Sequence, residues 1–168
     1  MKNLLKYIFL FAIACGMAGL YGSLHNQVSY TVSPEYFTQY KFPQFRLDGA
    51  LPERVGAAIV GWRASWWMGG FMALILIVTA KIRKLPIHIR MMVRLFAMVT
   101  ALIFALGIFA LLISFFAISA DSVAGGTNLG RGIQDPVAFL RAGMMHNAGY
   151  FAGLIGLLLG IGKLIKTA

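Results

Sequence analysis

Four long apolar runs, separated by polar connections, make up most of the chain. They extend over about 4–22, 57–80, 89–118 and 137–162. Each is close to or longer than the ~20 residues that an α-helix needs to cross the hydrocarbon core of a bilayer. The pattern predicts an all-α integral membrane protein, a four-transmembrane-helix bundle, in which residues 1–168 form a single membrane domain.

The connection between the first and second runs is polar, aromatic and longer than a simple turn. Its first part, "VSYTV" at 28–32, alternates apolar and polar residues with period two, which favours a short β-strand. Ser33 and Pro34 then fit the N-cap and the first position of a helix. We therefore expect an outer-face cap at 25–50, made of a short strand followed by a short helix.

Three aromatic side chains of this cap fall on one helical face. Tyr36, Phe37 and Tyr40 are separated by the three- and four-residue steps at which helical side chains are neighbours. Leaving that aromatic surface in water is unfavourable. We expect the face to lie on the outer ends of the second and fourth helices, near Trp62 and Trp66, which are one turn apart.

Proline and aspartate positions predict where three of the helices begin. Pro52 fits the first turn of the second membrane helix, and Pro86 fits that of the third. Asp135 and Pro136 fit the N-cap and first position of the fourth. The second and fourth helices are therefore expected to extend past the bilayer and to support the cap.

Small residues recur every four positions, which gives a helix a narrow face where another backbone can approach closely. The longest such ladder is in the second run, a further one is in the fourth, and a weaker one is in the third. They comprise Ala57, Gly61, Ser65, Gly69 and Ala73; Ala148, Ala152, Gly156 and Gly160; and Ala97, Ala101 and Ala105. Because close packing associates helices in lipid, we expect the two stronger ladders to hold the bundle together.

Composition agrees with a membrane protein, and the distribution of charge predicts its orientation. The chain is 60% hydrophobic and 12% charged, with a mean hydropathy of +0.79, which lies outside the range of soluble domains. The net charge is +10, and the side that holds both termini and the basic 81–90 loop has nine Lys and Arg residues and no acid. The positive-inside rule then places the termini in the cytoplasm and the cap and the Gly-rich 119–135 loop outside. Topology accounts for the basic residues, so nucleic acid is not an expected partner.

Two resemblances bear on localisation and topology. The pairing of "VSYTVSPEYF" with "GWRASWW" resembles a bacterial inner-membrane family, which implies a bacterial inner (cytoplasmic) membrane. The order of helices and loops is similar to that of claudin-like tetraspan proteins, although the outer loop here lacks their cysteine pair. For the first run, removal as a signal peptide or lipidation at Cys15 is an alternative to retention as a membrane helix.

Candidate binding residues lie where the helices reach the outer surface. Trp62 and Trp66 with Arg63 form an aromatic and cationic cluster, which is also typical of an interfacial belt. His25 and His146 stand at the ends of different spans, where two imidazoles can ligate a metal or haem. No acidic pair or cysteine accompanies them, so no metal or cofactor is expected. The candidate ligand- or partner-binding residues are His25, Tyr30, Tyr36, Phe37, Tyr40, Trp62, Arg63, Trp66 and His146.

The sequence contains no recognised catalytic pattern, since GxSxG, HExxH and P-loop motifs are absent. We therefore expect a non-enzymatic accessory or interaction subunit whose aromatic cap docks a partner, with membrane lipids and a homo-oligomer as further associations. The alternative is a small-molecule or anion binding or transport protein with a site at the outer helix ends, where Arg63 attracts an anionic ligand. An enzyme acting on lipid headgroups is a third interpretation, which needs an acid–base pair such as His25 with Glu35.

Overall fold

The computed structural model describes residues 2–47, 49, 51–124 and 132–166, and these residues form helices without any strand. In chain order the elements are α1 (Lys2–Val32), a π-helix (Tyr36–Lys41), α2 (Phe42–Phe45), α3 (Glu53–Ile82), α4 (Ile89–Ala117), α5 (Ala120–Ala124) and α6 (Pro136–Lys166). Among the described residues, four helices (α1, α3, α4 and α6) are long and apolar enough to cross a membrane. The predicted all-α fold with four long apolar helices is confirmed.

The four long helices form two closely packed pairs. α1 packs mainly against α3, and α4 packs mainly against α6, whereas α3 and α6 touch only slightly. We call the end that carries the π-helix and α2 the cap end, and the end that carries the α3–α4 connection the basic end. The loose contact between α3 and α6 leaves room for a cavity between the pairs.

α1 and α3 pack backbone to backbone through small residues, as the α3 ladder predicts. A Cβ atom added to Gly61 would overlap the carbonyl group of Gly22, and one added to Gly69 would overlap the carbonyl group of Ala14. Hydrogen bonds reinforce this pair near the cap end. Ser23, Asn26 and Gln27 of α1 each donate at 2.9 Å to a backbone carbonyl of α3, at Ala58, Ala57 and Arg54 respectively.

The α4–α6 pair uses the ladder in α6 but not the weaker one in α4. A Cβ atom added to Gly156 would lie 2.6 Å from Val99 Cγ1, so α4 approaches α6 closely there. Ala97, Ala101 and Ala105 are exposed on the surface of the bundle. The weaker ladder therefore faces away from α6, and larger residues of α4 such as Val99 form its packing face.

The predicted strand at 28–32 is wrong, because α1 continues through these residues to Val32. The Ser29 and Thr31 hydroxyls donate to the carbonyls of His25 and Gln27, one turn earlier, which is compatible with a helix. The buried positions at this end of α1 are polar and helically spaced: His25, Asn26 and Ser29, followed by Ser33. The period-two interpretation failed because it assumes that the buried face is the apolar one.

Helix starts agree with the sequence at α6 and partly elsewhere. α6 begins at Pro136, and Asp135 Oδ1 accepts the Ala138 N–H at 2.9 Å, as predicted for an N-cap. α3 begins at Glu53, directly after Pro52. The prediction for Pro86 is wrong, since α4 begins at Ile89 and Pro86 lies in the non-helical link before it.

Candidate functional site

Two histidines from different helices meet at the cap end of the bundle. The rings of His25 in α1 and His146 in α6 contact edge to face, with centroids 4.8 Å apart and planes at 77°. Tyr21 Oη lies 3.1 Å from His25 Nδ1, and Ser29 Oγ lies 3.1 Å from His146 Nε2. Each imidazole is therefore oriented by a hydroxyl group of α1.

Two glycines provide space for the His25 ring. A Cβ atom added to Gly107 of α4 would lie 3.3 Å from His25 Cε1. A Cβ atom added to Gly149 of α6 would lie 3.8 Å from the same atom and 3.1 Å from Tyr21 Oη. All three helices around this ring therefore contribute to its position.

In the π-helix, the side chains of one lysine and two aromatic residues are buried in the protein interior. Ser33 Oγ accepts the Tyr36 N–H at 3.2 Å, which is the predicted N-cap interaction of "SPEY". The Phe42 N–H donates to the carbonyl of Phe37, five residues earlier, as in a π-helix. In this wider turn, Lys41 comes back to the side of Tyr36, and both are buried with Phe37.

Tyr36 and Phe37 cover the histidine pair from the cap end. The Tyr36 ring stacks on His146 with centroids 4.9 Å apart and planes at 25°, and the Phe37 ring lies 6.1 Å from the same imidazole. Their other neighbours lie on α1, α3, α6 and α2: Tyr30, Ala57, Phe139 and Ala142, and Phe42. The two aromatic residues thus pack on the ends of α3 and α6, as the sequence predicts.

Lys41 is a buried cation with few polar contacts. Its side chain is 7% exposed, and Nζ donates to Gln44 Oε1 at 3.1 Å. The ammonium also lies 4.7 Å from the Tyr40 ring centroid and 5.5 Å from that of Tyr36. Burial lowers the pKa of the Lys41 ammonium and raises the pKa of the Tyr36 hydroxyl, because a charged group is poorly solvated there.

A cavity of about 310 Å³ lies beneath the π-helix, between α1, α3, α4 and α6. Its cap end is polar and is lined by Lys41, Tyr21, His25, Asn26 and His146. The remainder is mainly apolar and includes Met68, Met72, Phe96 and Leu157. On α1 the lining runs from Ala14 to Asn26, which is about 18 Å at 1.5 Å per residue. The cavity is therefore elongated and amphipathic.

The cavity opens toward the surface between α3 and α6. Trp67 and Phe71 of α3 line it, as do Tyr150 and Leu154 of α6, and all four side chains are also exposed. Residues that both line a cavity and reach the surface mark its mouth. The mouth therefore lies between two helices that are long and apolar enough to cross a membrane.

The candidate residues named from the sequence divide into two groups. His25, His146, Tyr36 and Phe37 come together at the cavity, and Tyr30 adjoins them. The Tyr30 ring centroid is 5.6 Å from that of Phe37, and the Tyr30 hydroxyl donates to Glu53. Tyr40 lies at the rim, 45% exposed, and contacts Tyr36.

Trp62, Trp66 and Arg63 lie outside the cavity. The Trp62 ring packs over Gly19 of α1, and Arg63 donates to the Phe45 carbonyl at 3.1 Å. Both tryptophans are exposed, and no ring contact joins either to the cap aromatics among the described residues. The expected Trp62–Trp66 wall beneath the cap is therefore wrong. Trp67, which the sequence analysis did not select, lines the cavity.

Sequence reasoning also missed Lys41, Tyr21 and Asn26. Tyr21 could have been selected, since it lies one helical turn before His25. That inference needs α1 to continue as a helix beyond residue 22, where the predicted span ended. Lys41 gave no signal, because only a π-helix turns it inward.

His25 and His146 each have a hydroxyl group as hydrogen-bond partner, and no third metal-ligating side chain joins them among the described residues. No group of three His, Cys, Asp or Glu side chains comes together in the part of the chain that the structure describes. Two imidazoles on opposite sides of a haem iron, each about 2 Å from the metal, would hold their centroids about 6 Å apart. The observed 4.8 Å edge contact does not fit that arrangement.

Comparisons of the chain with protein-family models, with curated proteins and with solved structures found no match.

Proposed function

We propose that the protein binds a small amphipathic molecule, which enters its cavity from the membrane through the mouth between α3 and α6. One observation carries this proposal. The cavity of about 310 Å³ has buried polar groups at the cap end and an apolar remainder. Its volume is within the range of small-molecule sites, and a mostly apolar lining with few convergent polar groups is typical of them.

This proposal favours the ligand-binding interpretation over docking of a partner on the aromatic cap. Tyr36 and Phe37 are 5% and 0% exposed, so they have little surface to offer another protein. Their packing is better suited to closing the polar end of a ligand site. In its cellular setting we propose a bacterial inner membrane with both termini cytoplasmic, so that the cap end is outside.

Fluorescence of Trp67 provides the test, because this residue lines the cavity mouth. The protein is placed in phosphatidylcholine nanodiscs with Trp62 and Trp66 changed to Phe, which leaves Trp67 as the single tryptophan. Titration with laurate and with dodecanol, two single-chain amphiphiles, is expected to give a saturable fluorescence change.

Gly153→Leu should weaken binding of both probes at least about tenfold. Gly153 lines the cavity, and an added Cβ atom would meet only Ile103 Cδ1 and Met68 Cε, each at 3.9 Å. The backbone therefore tolerates a side chain there, and the rest of the leucine occupies ligand space. Gly162→Leu is the matched control, since no atom lies within 4 Å of a Cβ at this position of the same helix. Undiminished binding by the Gly153 variant, or no saturable signal with either probe, contradicts the proposal.

A further inference from the structure

Lys41 is a buried positive charge without a negative partner among the described residues. An ammonium has three donors, and the Gln44 amide accepts only one of them. The Tyr36 and Tyr40 rings contribute weaker cation–π attraction. Burying a charge is costly unless it is paired, so the unliganded site holds an uncompensated cation.

The described carboxylates at the cap end are engaged elsewhere or exposed. Glu35 accepts the backbone N–H groups of Gln134 and Asp135, at 2.8–3.1 Å. Glu53 accepts the Tyr30 hydroxyl, and Asp135 accepts the Ala138 N–H. Asp121 is exposed. None of these groups neutralises Lys41.

The other titratable side chains that line the cavity or adjoin Lys41 are hydroxyl and imidazole groups, and none is a carboxylate. They are Tyr21 and His25 of α1 and His146 and Tyr150 of α6, with Tyr36 and Tyr40 beside Lys41 in the π-helix. The lining residues of α3 and α4 include none that ionise. Among the described residues, no side chain therefore places a negative charge in this cavity, and a bound anionic ligand can supply it.

We propose that the ligand is a single-chain amphiphile with a carboxylate head, which pairs with Lys41 while its alkyl chain runs along the apolar part toward Met72 and Leu157. This inference rests on the proposed function, since it names the head group of the same ligand. One ammonium compensates one negative charge. A phosphate monoester carries close to two at neutral pH, and the excess charge would remain unpaired in an apolar site.

Two further donors line the same cavity and are available to hydrogen-bond a carboxylate. Asn26 Nδ2 uses one N–H on the Ala57 carbonyl, so its second N–H remains available. When Tyr21 donates to His25 Nδ1, the neutral imidazole carries its proton on Nε2. Both side chains line the cavity with Lys41. A charge-assisted head site of this kind is stronger than a neutral one.

The test compares laurate with dodecanol, which has the same chain and no charge, in the Trp67 nanodisc assay. The protein with Trp67 as its single tryptophan and with Lys41 intact should bind laurate at least about tenfold more tightly than dodecanol, and the variants below are made in the same background. Lys41→Met should lose about thirtyfold or more in laurate affinity and leave dodecanol affinity within about twofold. Arg46→Met is the matched control, because Arg46 is an exposed cation at the same end, and it should keep the laurate preference.

If Lys41 only stabilised the fold, the unliganded Lys41→Met variant should unfold at a lower temperature than the protein with Lys41. If Lys41 serves the ligand, the unliganded Met variant should unfold at the same or a higher temperature than wild type, because it loses an unpaired buried charge. A second measurement needs no variant. Laurate affinity of the wild type should fall as the pH rises and Lys41 loses its proton, while dodecanol affinity stays constant.

The outcomes separate this inference from the proposed function. Equal binding of laurate and dodecanol, or a laurate preference that survives Lys41→Met, overturns the carboxylate assignment and leaves the binding function intact. Tighter binding of dodecyl phosphate than of laurate overturns it in favour of a phosphate head. Failure of every probe to bind overturns both.

Discussion

At the scale of single residues, the direction in which Lys41 points decides the chemistry of the cavity. Tyr36 and Lys41 are five positions apart, and residues at this separation share a side only in the wider π-helical turn. The same lysine in an α-helix would face away from Tyr36. A local change in helix type thus converts a surface cation into a buried one, and such turns are frequent at functional sites.

The buried lysine makes the stability of the unliganded protein depend on pH. Burial lowers the pKa of Lys41 in the folded state. Below that pKa the side chain is charged in both states, and the cost of burying it reduces the stability in full. Between that pKa and the ordinary value near 10.4, the unfolded chain binds more protons, so stability rises with pH.

The measurement is thermal unfolding in phosphatidylcholine nanodiscs from neutral pH to about pH 10, with the difference between wild type and Lys41→Met as the readout. We expect wild type to gain stability relative to the variant as the pH increases through this range. Lys166→Met, which removes an exposed lysine, should show no such difference. A constant gap between wild type and the Lys41 variant would mean that Lys41 is solvated in the folded protein.

Sequence reasoning at this scale succeeded where polarity and position sufficed. His25 and His146 stand out as polar residues at the ends of apolar runs, and the structure brings them into contact. Arg63 was the expected attractor for an anion, but helical phase turns it to the outside, where it binds the Phe45 carbonyl. The burial of Lys41 depends on π-helical geometry. A six-residue segment is too short for the spacing of its residues to reveal a π-helix.

At the scale of elements, the buried face of α1 is polar at the cap end, and for this reason the hydrophobic pattern predicted a strand where the helix continues. Its cap end buries His25, Asn26 and Ser29, because hydrogen bonds to α3 and α6 compensate for their burial. Val28 and Val32 are only half-buried. The alternation of apolar and polar residues at 28–32 was therefore real but did not mark a strand. The ladder in α3 was read correctly, because backbone contact depends only on residue size.

The contact between α1 and α3 leads to a prediction for Gly69. Gly69→Leu should destabilise the protein by about 1–3 kcal/mol or prevent folding, since even its Cβ would overlap the carbonyl group of Ala14. The measurement is the thermal midpoint in detergent. Gly16→Leu in α1 is the control, because no atom lies within 4 Å of a Cβ there. Equal midpoints for the two variants would mean that α1 and α3 do not meet along this face.

At the scale of the whole molecule, the number of long apolar helices and the separation of charge follow from the sequence. Apolar runs of sufficient length are a strong signal, because a membrane helix must satisfy its backbone hydrogen bonds internally. The cavity could not be predicted from the sequence. It depends on how loosely α3 meets α6, and that contact is set by the packing of both helix pairs.

The asymmetry of charge leads to a prediction of orientation. The Gly-rich loop lies partly outside the described residues, so the probes are Gln134 at the cap end and Pro86 at the basic end, both exposed and uncharged. Each is changed to Cys in a Cys15→Ser background. Because the basic end has cations and no acid, the positive-inside rule keeps it in the cytoplasm. In intact cells, a membrane-impermeant maleimide should label the Gln134→Cys protein at once, and the Pro86→Cys protein only after the membrane is permeabilised. The reverse pattern would turn the cap end, and with it the Lys41 end of the cavity, toward the cytoplasm.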